Sequence, residues 1–488
     1  MGSRPPRATP ASRWGARRSS PLRWLALFAV LFGAYAATLH THVAPRADYA
    51  GDEPHHLLAA ESLTADRDLD LVNQYALNAD AAFSPRPVEP LGSTTLGRLH
   101  EPYEVGFPLL IAPAYELGGP TLVELMLAAI AALGFVVAAG LARRLVPEPW
   151  ASGGALVVGL SPPVLASATA VSPELTAGAL LAGAAHLALA ARDDPRQRSA
   201  YGAAVLLAFL PWLGVEYLVA GLPIAAMLVR WLLAGRRQLV ALVSAEAIFA
   251  SLVMLVTLND RLYGGPTPYA AGGSMTGAST VGDYLERLPR LAELWVDRDI
   301  GLLRWAPVLA LVLLGAWLLW RSRRSHLARA IPARAGAEAA AGLLLAVCAG
   351  QLLVAVLVSP TLEGPWFPGR LLLPALPCAA ALAAWGLRHV PRIGLALGSL
   401  TLIASAWLLA GLRTGAIASS AEPGTQAPWG PLVAAFPRYG TGSPWDDAVT
   451  VALAAALVAV VVHQFYAARS RRADASRGPM GAGPTTSP

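Results

Sequence analysis

The chain has 488 residues, of which 55% are hydrophobic and only 14% are charged, and its mean hydropathy is +0.50. A soluble domain carries about a quarter charged residues, so this composition excludes an ordinary soluble protein. The net charge of +6 comes entirely from arginines, which form short clusters between apolar runs. Such clusters are typical of membrane topology rather than of nucleic-acid binding. Cys348 and Cys378 have no CxxC context, so neither a disulfide framework nor a cysteine metal site is indicated.

Twelve apolar runs approach the ~20 residues that cross ~30 Å of hydrocarbon. They lie at 22–43, 121–141, 150–171, 174–191, 199–214, 215–234, 238–258, 302–320, 337–358, 371–387, 393–412 and 448–467. The first run is too long for a signal peptide and lacks a cleavage site, so it is interpreted as a retained helix. The predicted fold class is an all-α polytopic membrane protein with about 12 transmembrane helices, within a range of 11–13.

The arginine clusters predict the orientation of these helices. They fall in alternate connections, and arginine is enriched on the cytoplasmic side of membrane proteins. The pattern therefore favours an N-in/C-in topology with a transmembrane domain over 22–468 and disordered cytoplasmic tails at 1–21 and 469–488. The segments predicted to be external are 44–120, 259–301, 359–370 and 413–447.

The first external segment is the largest and should carry short amphipathic helices. Residues 54–65 are expected to form one of them, because Pro54 suits a first helical turn. The stretch 105–119 is too short to span and is expected to be interfacial or re-entrant. Glu246 lies in the middle of a predicted span, where a charge is costly, so it is expected to face the interior of the bundle.

Acidic and histidine side chains follow the first helix closely. Asp52 and Glu53 are adjacent, and His55 and His56 come directly after Pro54. Two neighbouring carboxylates repel each other, which favours a raised pKa on one of them and a role in accepting a proton. The alternative interpretation is a pair of solvated loop acids.

The order of several motifs resembles the GT-C superfamily of integral-membrane glycosyltransferases. It is most similar to the branch of aminoarabinose transferases and protein O-mannosyltransferases, whose first external loop also opens with an Asp-Glu pair. The resemblance covers roughly residues 22–390. Beyond Asp52-Glu53, it rests on Leu99-His100-Glu101-Pro102 through Tyr115, Ser172-Pro173-Glu174-Leu175, Pro211-Trp212-Leu213, Tyr263-Gly264, Asp299 through Pro307, and Pro365-Trp366-Phe367-Pro368-Gly369-Arg370.

The resemblance implies transfer of a sugar from a polyprenyl-phosphate donor to a lipid, glycan or protein acceptor. It implies catalytic roles for Asp52 and Glu53, with Asp52 as the preferred base. Arg370 at the predicted outer face is the candidate phosphate ligand, although an arginine that snorkels to headgroups is the alternative. The other residues expected to bind substrate are Glu174, His55, His100 and Trp366. The protein is accordingly expected in contact with membrane lipids, in a bacterial plasma membrane, with its active site outside.

The sequence departs from such relatives at two places. They often have His-Pro-Gly or Lys-Pro-Pro in the first loop, where this chain has His100-Glu101-Pro102-Tyr103-Glu104. A basic residue often follows the Pro-Trp-Leu motif, where this chain has Gly214-Val215-Glu216. The role of that turn stays open.

A metal and two other functions remain as alternatives. Asp52, Glu53 and the nearby histidines offer ligands for a divalent cation, but their spacing matches no established signature, so no metal site is assigned. The rival functions are a polytopic transporter or lipid flippase and a polyprenyl-diphosphate glycan ligase or polymerase. A transporter should show two similar halves, and a ligase should place its large external loop late in the chain.

Overall fold

The protein is a helical bundle in a computed structural model. The structure describes residues 21–41, 49, 51–84, 87–92, 94–95, 97–194, 196–272, 276–322, 332–362, 364, 366–417, 428–430, 436–439, 444, 448–449, 451–452 and 455. The predicted disordered tails, apart from residue 21, and most of the predicted span at 448–467 lie outside these residues.

The helices follow one another with only one small sheet among the described residues. They are α1 (Pro21–Ala36), α2 (Glu53–Ala65), α3 (Val72–Ala76), α4 (Gly106–Ala142), α5 (Trp150–Gly159), α6 (Pro162–Ser167), α7 (Glu174–Asp193), α8 (Gln197–Leu213), α9 (Tyr217–Ala234), α10 (Gln238–Tyr263), α11 (Tyr269–Gly272), α12 (Val281–Glu286), α13 (Arg290–Val296), α14 (Leu302–Trp305), α15 (Ala310–Ser322), α16 (Pro332–Leu353), α17 (Leu376–His389) and α18 (Pro391–Thr414). A two-residue antiparallel pair, β1 (Thr94–Thr95) with β2 (Arg98–Leu99), lies in the first long loop.

Seven helices within the described part of the chain are long and apolar enough to cross a membrane. They are Gly106–Ala142, Glu174–Asp193, Tyr217–Ala234, Gln238–Tyr263, Gly336–Val358, Arg370–His389 and Pro391–Thr414. Three shorter apolar helices accompany them, at Pro21–Ala36, Trp150–Gly159 and Pro307–Leu319. The chain is therefore an integral-membrane protein, while the number of about 12 spans and the orientation stay predictions.

Two predicted segments have a different form. The predicted span at 150–171 is two short helices, α5 and α6, because the chain turns at Leu160 and Ser161. The stretch 105–119 is helical and continues into the first long span, with a kink at Gly118 and Gly119. Pro120 follows that kink directly, and a proline removes a helical hydrogen bond.

The bundle has two distinguishable ends. At one end the arginine clusters meet, since Arg144 Nη1 donates to Asp193 Oδ2 at 2.6 Å and Arg237 Nη1 donates to the carbonyl of Ala191 at 2.9 Å. Arg143 also lies over the ring of Trp24, at 5.6 Å. The first long loop and the beginnings of α7, α9 and α17 lie at the other end, which carries the candidate site.

The core is made of small and aliphatic side chains. Helix α7 packs against α4 and α8, and α17 packs against α5 and α15. The large side chains that are fully buried include Phe107, Phe135 and Tyr35. Glu246 is exposed on α10, so the expectation that it faces the bundle interior was wrong. Its helix places Ala241 and Ser244 inward instead.

Candidate active site

Arg370 is the centre of the candidate site. Its guanidinium donates from Nε to Glu174 Oε1 at 2.6 Å and from Nη2 to Asp52 Oδ2. The guanidinium carbon also lies 5.1 Å from the ring centroid of Trp366. The structure thus brings together four of the residues that the sequence analysis selected, although Asp52 and Arg370 are 318 positions apart.

The position of Arg370 depends on the glycine before it. Gly369 has φ +89°, a conformation that L-residues with a side chain rarely adopt. A Cβ at this position would also lie 2.1 Å from Leu302 Cδ1. The turn therefore needs glycine, and it starts the 3-10 turn Arg370–Ala375 that leads into α17.

Asp52 immediately precedes α2 and stays ionised beside Arg370. Burial raises the pKa of its carboxyl, but the positive charge and hydrogen bond of Arg370 outweigh that effect and hold the pKa below its ordinary value. His56 Nε2 lies 3.9 Å from Asp52 Oδ2, one helical turn along α2. Burial lowers the pKa of His56 to about 4, so this imidazole is neutral near pH 7.

Glu53 points in a different direction from Asp52. Its Oε1 accepts a hydrogen bond from the backbone N–H of Val171 at 2.9 Å, and the residue is 8% exposed. Val171 lies just before Ser172-Pro173-Glu174. Glu53 therefore connects the start of α2 with the segment that delivers Glu174 to Arg370.

His55 and His100 occupy different surroundings. His55 Nδ1 is 2.9 Å from the Tyr75 hydroxyl, which donates to Glu101 Oε1 at 2.5 Å, and His55 also lines the main cavity. His100 Nδ1 is 2.8 Å from the carbonyl of Leu69, and its side chain lines a separate small cavity of about 20 Å³. The structure thus places His55 at the site and His100 outside its lining.

A cavity of about 530 Å³ opens beside Arg370. It is bounded by the loop before α2, the loop before α4, the turn between α8 and α9, and the segments before α11 and α17. Its polar and aromatic lining consists of Asp52, His55, His56, Tyr103, Glu104, Glu174, Glu216, Tyr217, Tyr269, Ser359, Thr361, Trp366 and Arg370. These loops and segments all join the helices at the same end of the bundle. The cavity therefore lies at the end opposite the arginine clusters.

Two further acids line this cavity and had no role assigned from the sequence. Glu104 accepts hydrogen bonds from Asn259 Nδ2, at 3.4 and 3.2 Å to its two oxygens. Burial raises the pKa of Glu104 to about 8 and that of Glu216 to about 7. Both acids lie where the sequence departs from the motifs of the family that it resembles, at 100–104 and 214–216. Nothing in the sequence showed that these two segments meet.

No metal centre is indicated in the part of the chain that the structure describes. No group of three or more His, Cys, Asp or Glu side chains there is arranged to hold an ion. Asp52 and Glu174 are both bonded to Arg370 and Glu53 to Val171. A divalent cation therefore has no assigned ligand set.

Solved structures with a similar fold include two of ArnT. ArnT from Cupriavidus metallidurans bound to undecaprenyl phosphate matches with a TM-score of 0.50 and 15% identity, over 92% of this chain and 73% of that one. Its apo form matches with a TM-score of 0.50 and 16% identity, over 83% and 68%. An oligosaccharyltransferase from Archaeoglobus fulgidus matches with a TM-score of 0.41 and 15% identity, over 80% and 53%.

No protein-family profile matches the chain, and no curated protein sequence matches it significantly. At these identities the ArnT match establishes the fold. The chain therefore shares the fold of ArnT.

Proposed function

We propose that the chain is a glycosyltransferase that moves a sugar from a polyprenyl-phosphate donor to an acceptor hydroxyl at the external face of the bacterial plasma membrane. The observation that carries the proposal is the Asp52–Arg370–Glu174 cluster on a cavity at one end of a GT-C-type bundle. A phosphate needs a cation and an acceptor hydroxyl needs a base, and this cluster offers both.

Arg370 is the phosphate ligand in this proposal. It is the one arginine among the described residues that line the cavity, and its planar fork suits a phosphate. In the structure the guanidinium is bonded to two carboxylates, so the phosphate displaces one of them when it binds. The guanidinium lies over the ring of Trp366, which limits the orientations that the guanidinium can adopt.

Asp52 is the base. The acceptor oxygen forms a bond to the anomeric carbon, and the bond from that carbon to the phosphate oxygen breaks with its electron pair left on the phosphate. The hydroxyl proton passes to an Asp52 oxygen. Arg370 stabilises the negative charge that grows on the leaving phosphate, which is the largest electrostatic demand of the step.

The position of the cavity favours an enzyme over a transporter. A transporter holds its substrate near the middle of the membrane between similar repeats, whereas this cavity is lined by loops and helix ends. The arginine clusters at the opposite end support an external location for the cavity by the positive-inside rule.

The test compares lipid-linked sugars and surface glycans in cells with and without the protein. Loss of the protein should cause one lipid-linked sugar to accumulate and one glycan product to disappear, and the two would identify both substrates. Wild-type protein should restore the product, while Arg370→Ala should not. Arg144→Ala, an arginine at the opposite end of the bundle, is the matched control and should restore it. Unchanged lipid-linked sugars and glycans after deletion would contradict the proposal.

A further inference from the structure

The charges in the cavity are distributed unevenly. Arg370 is bonded to both Asp52 and Glu174. The same cavity is also lined by Glu104 and Glu216, and its lining has no further arginine among the described residues. Two carboxyl groups therefore remain for a ligand that has to approach Asp52.

Two contacts position the loop of Glu104 and the turn of Glu216. Asn259 on α10 donates to the Glu104 carboxyl, at 3.2 Å to the nearer oxygen. Gly106 allows the start of α4 to lie against Trp212, since a Cβ there would be 2.4 Å from the Trp212 Cβ. This close approach brings the loop of Glu104 beside the turn of Glu216. Besides burial, the charge of Glu216 raises the pKa of Glu104, and the charge of Glu174 raises that of Glu216.

A buried side chain without a hydrogen bond also points to a ligand. Both ring nitrogens of His56 lack a hydrogen-bond partner among the described residues, although the residue is only 3% exposed. His56 lines the cavity and packs on Tyr103, with ring centroids 4.7 Å apart. A neutral imidazole has one donor and one acceptor nitrogen, which is what a hydroxyl group needs. Glu174 Oε2 is likewise buried without a hydrogen-bond partner in the described structure.

We propose that Glu104 and Glu216 form the acceptor subsite and that the acceptor presents uncharged hydroxyl groups there. This proposal rests on the proposed function and names the substrate class for the same cavity. Carboxyl groups both accept and, when protonated, donate hydrogen bonds to hydroxyls. An acceptor phosphate or carboxylate would instead be buried without a cation of its own, because the one arginine among the described lining residues is already bonded to Asp52 and Glu174. Burying an unpaired charge is unfavourable.

Isosteric variants distinguish this substrate class from charged ligands. Membranes that contain both native substrates serve as the assay, because the acceptor then need not be known. Glu216→Gln and Glu104→Gln should lower transfer about 2- to 10-fold, since an amide still bonds to hydroxyls. Glu216→Leu and Glu104→Leu should lower it about 10- to 100-fold, because the hydroxyl partners are then left without a bond. Glu89→Gln, an exposed loop acid outside the cavity, is the control that should match wild type.

Binding of undecaprenyl phosphate to each purified variant is the second readout. It should stay within about twofold of wild type in all four subsite variants, which also shows that they fold. A Gln variant that transfers faster would indicate an anionic acceptor, and one that loses as much as the Leu variant would indicate a cationic one. Either result, or normal transfer by the Leu variants, would overturn the subsite. If Arg370→Ala retains both binding and transfer, the proposed function itself fails, whatever the subsite variants do.

Discussion

At the scale of single residues, the two adjacent acids of the first loop are expected to do different work. Asp52 is bonded to Arg370 and lines the cavity, while Glu53 accepts from Val171 and does not line it. Their neighbouring positions gave no indication of this difference, because it arises from the turn into α2. The pair therefore allows a direct comparison of the proposed base with a carboxylate that bonds to the backbone.

The first prediction concerns Asp52→Asn. The amide keeps the size of the side chain but cannot accept the hydroxyl proton, so turnover should fall about 10²–10⁴-fold. Undecaprenyl phosphate should still bind, because Arg370 remains and one of the two carboxylates that compete with the phosphate for its guanidinium is gone. The measurements are transfer rate and undecaprenyl phosphate affinity on purified protein. Normal turnover would exclude Asp52 as the base.

The second prediction concerns Glu53. Glu53→Gln keeps an oxygen that accepts from Val171, so its activity should stay within a few-fold of wild type. Glu53→Ala leaves that buried N–H without its bond, at a cost of about 1–3 kcal/mol, and should reduce both stability and turnover. Thermal unfolding and transfer assays check this. A Gln variant as inactive as Asp52→Asn would show that the Glu53 charge itself takes part in the reaction.

The third prediction concerns Arg370. Arg370→Ala should weaken binding of undecaprenyl phosphate as well as turnover, since phosphate recognition begins in the ground state. Arg370→Lys should rescue only part of the loss, because a point charge replaces a bidentate fork. Titrations of undecaprenyl phosphate into the two variants test both expectations. If undecaprenyl phosphate binds equally to wild type and Arg370→Ala, this side chain is a structural partner of the two acids only.

At the scale of secondary structure, α2 shows what a local sequence pattern can and cannot predict. Pro54 and the residues after it predicted a helix over 54–65, and the helix Glu53–Ala65 confirms this. The expectation that it is amphipathic was wrong. Leu57 and Leu58 are fully buried, but His55, His56 and Ser62 are buried too, because the helix packs on α4 and against the rest of its loop.

The fourth prediction tests the turn before α17. Gly369→Ala forces a side chain onto a backbone with φ +89°, which costs about 1–2 kcal/mol, and brings its Cβ against the buried Leu302. The turn should shift and move the guanidinium of Arg370, so undecaprenyl phosphate affinity should fall about tenfold or more, corresponding to the same range of energy. Gly153→Ala on α5 has open space at its Cβ and serves as the control. Equal affinity in the two variants would show that the turn tolerates a side chain.

At the scale of the whole molecule, the sequence predicted the class of protein better than the spatial arrangement of its motifs. Composition indicated a polytopic membrane protein, and the order of motifs indicated Asp52, Glu174, Trp366 and Arg370. Their contacts depend on segments far apart in the chain, which no local pattern encodes. For the same reason the sequence did not indicate that Glu104 and Glu216 line the cavity of Arg370, or that His100 lies outside that lining.

The fifth prediction concerns orientation. If the cavity faces outside, a cysteine at exposed Ala81 should react with a membrane-impermeant maleimide in intact cells, and one at exposed Gln197 should not. The native Cys348 and Cys378 lie within helices of the bundle, so the unmodified protein gives the background. Gln197→Cys should react after the cells are opened. If Gln197→Cys is labelled in intact cells and Ala81→Cys is not, the topology and the location of the site are the reverse of those proposed.

The 318 positions between Asp52 and Arg370 also bear on how the protein is made. Ribosomes complete the N-terminal acid long before the arginine, and the helices between them enter the membrane in the meantime. Until the segment before α17 is made, Asp52 and Glu174 lack the arginine that bonds to both of them in the finished structure. If the proposed site is correct, it is therefore completed late in biogenesis, and translation products that stop before Arg370 should be unable to bind a lipid phosphate there.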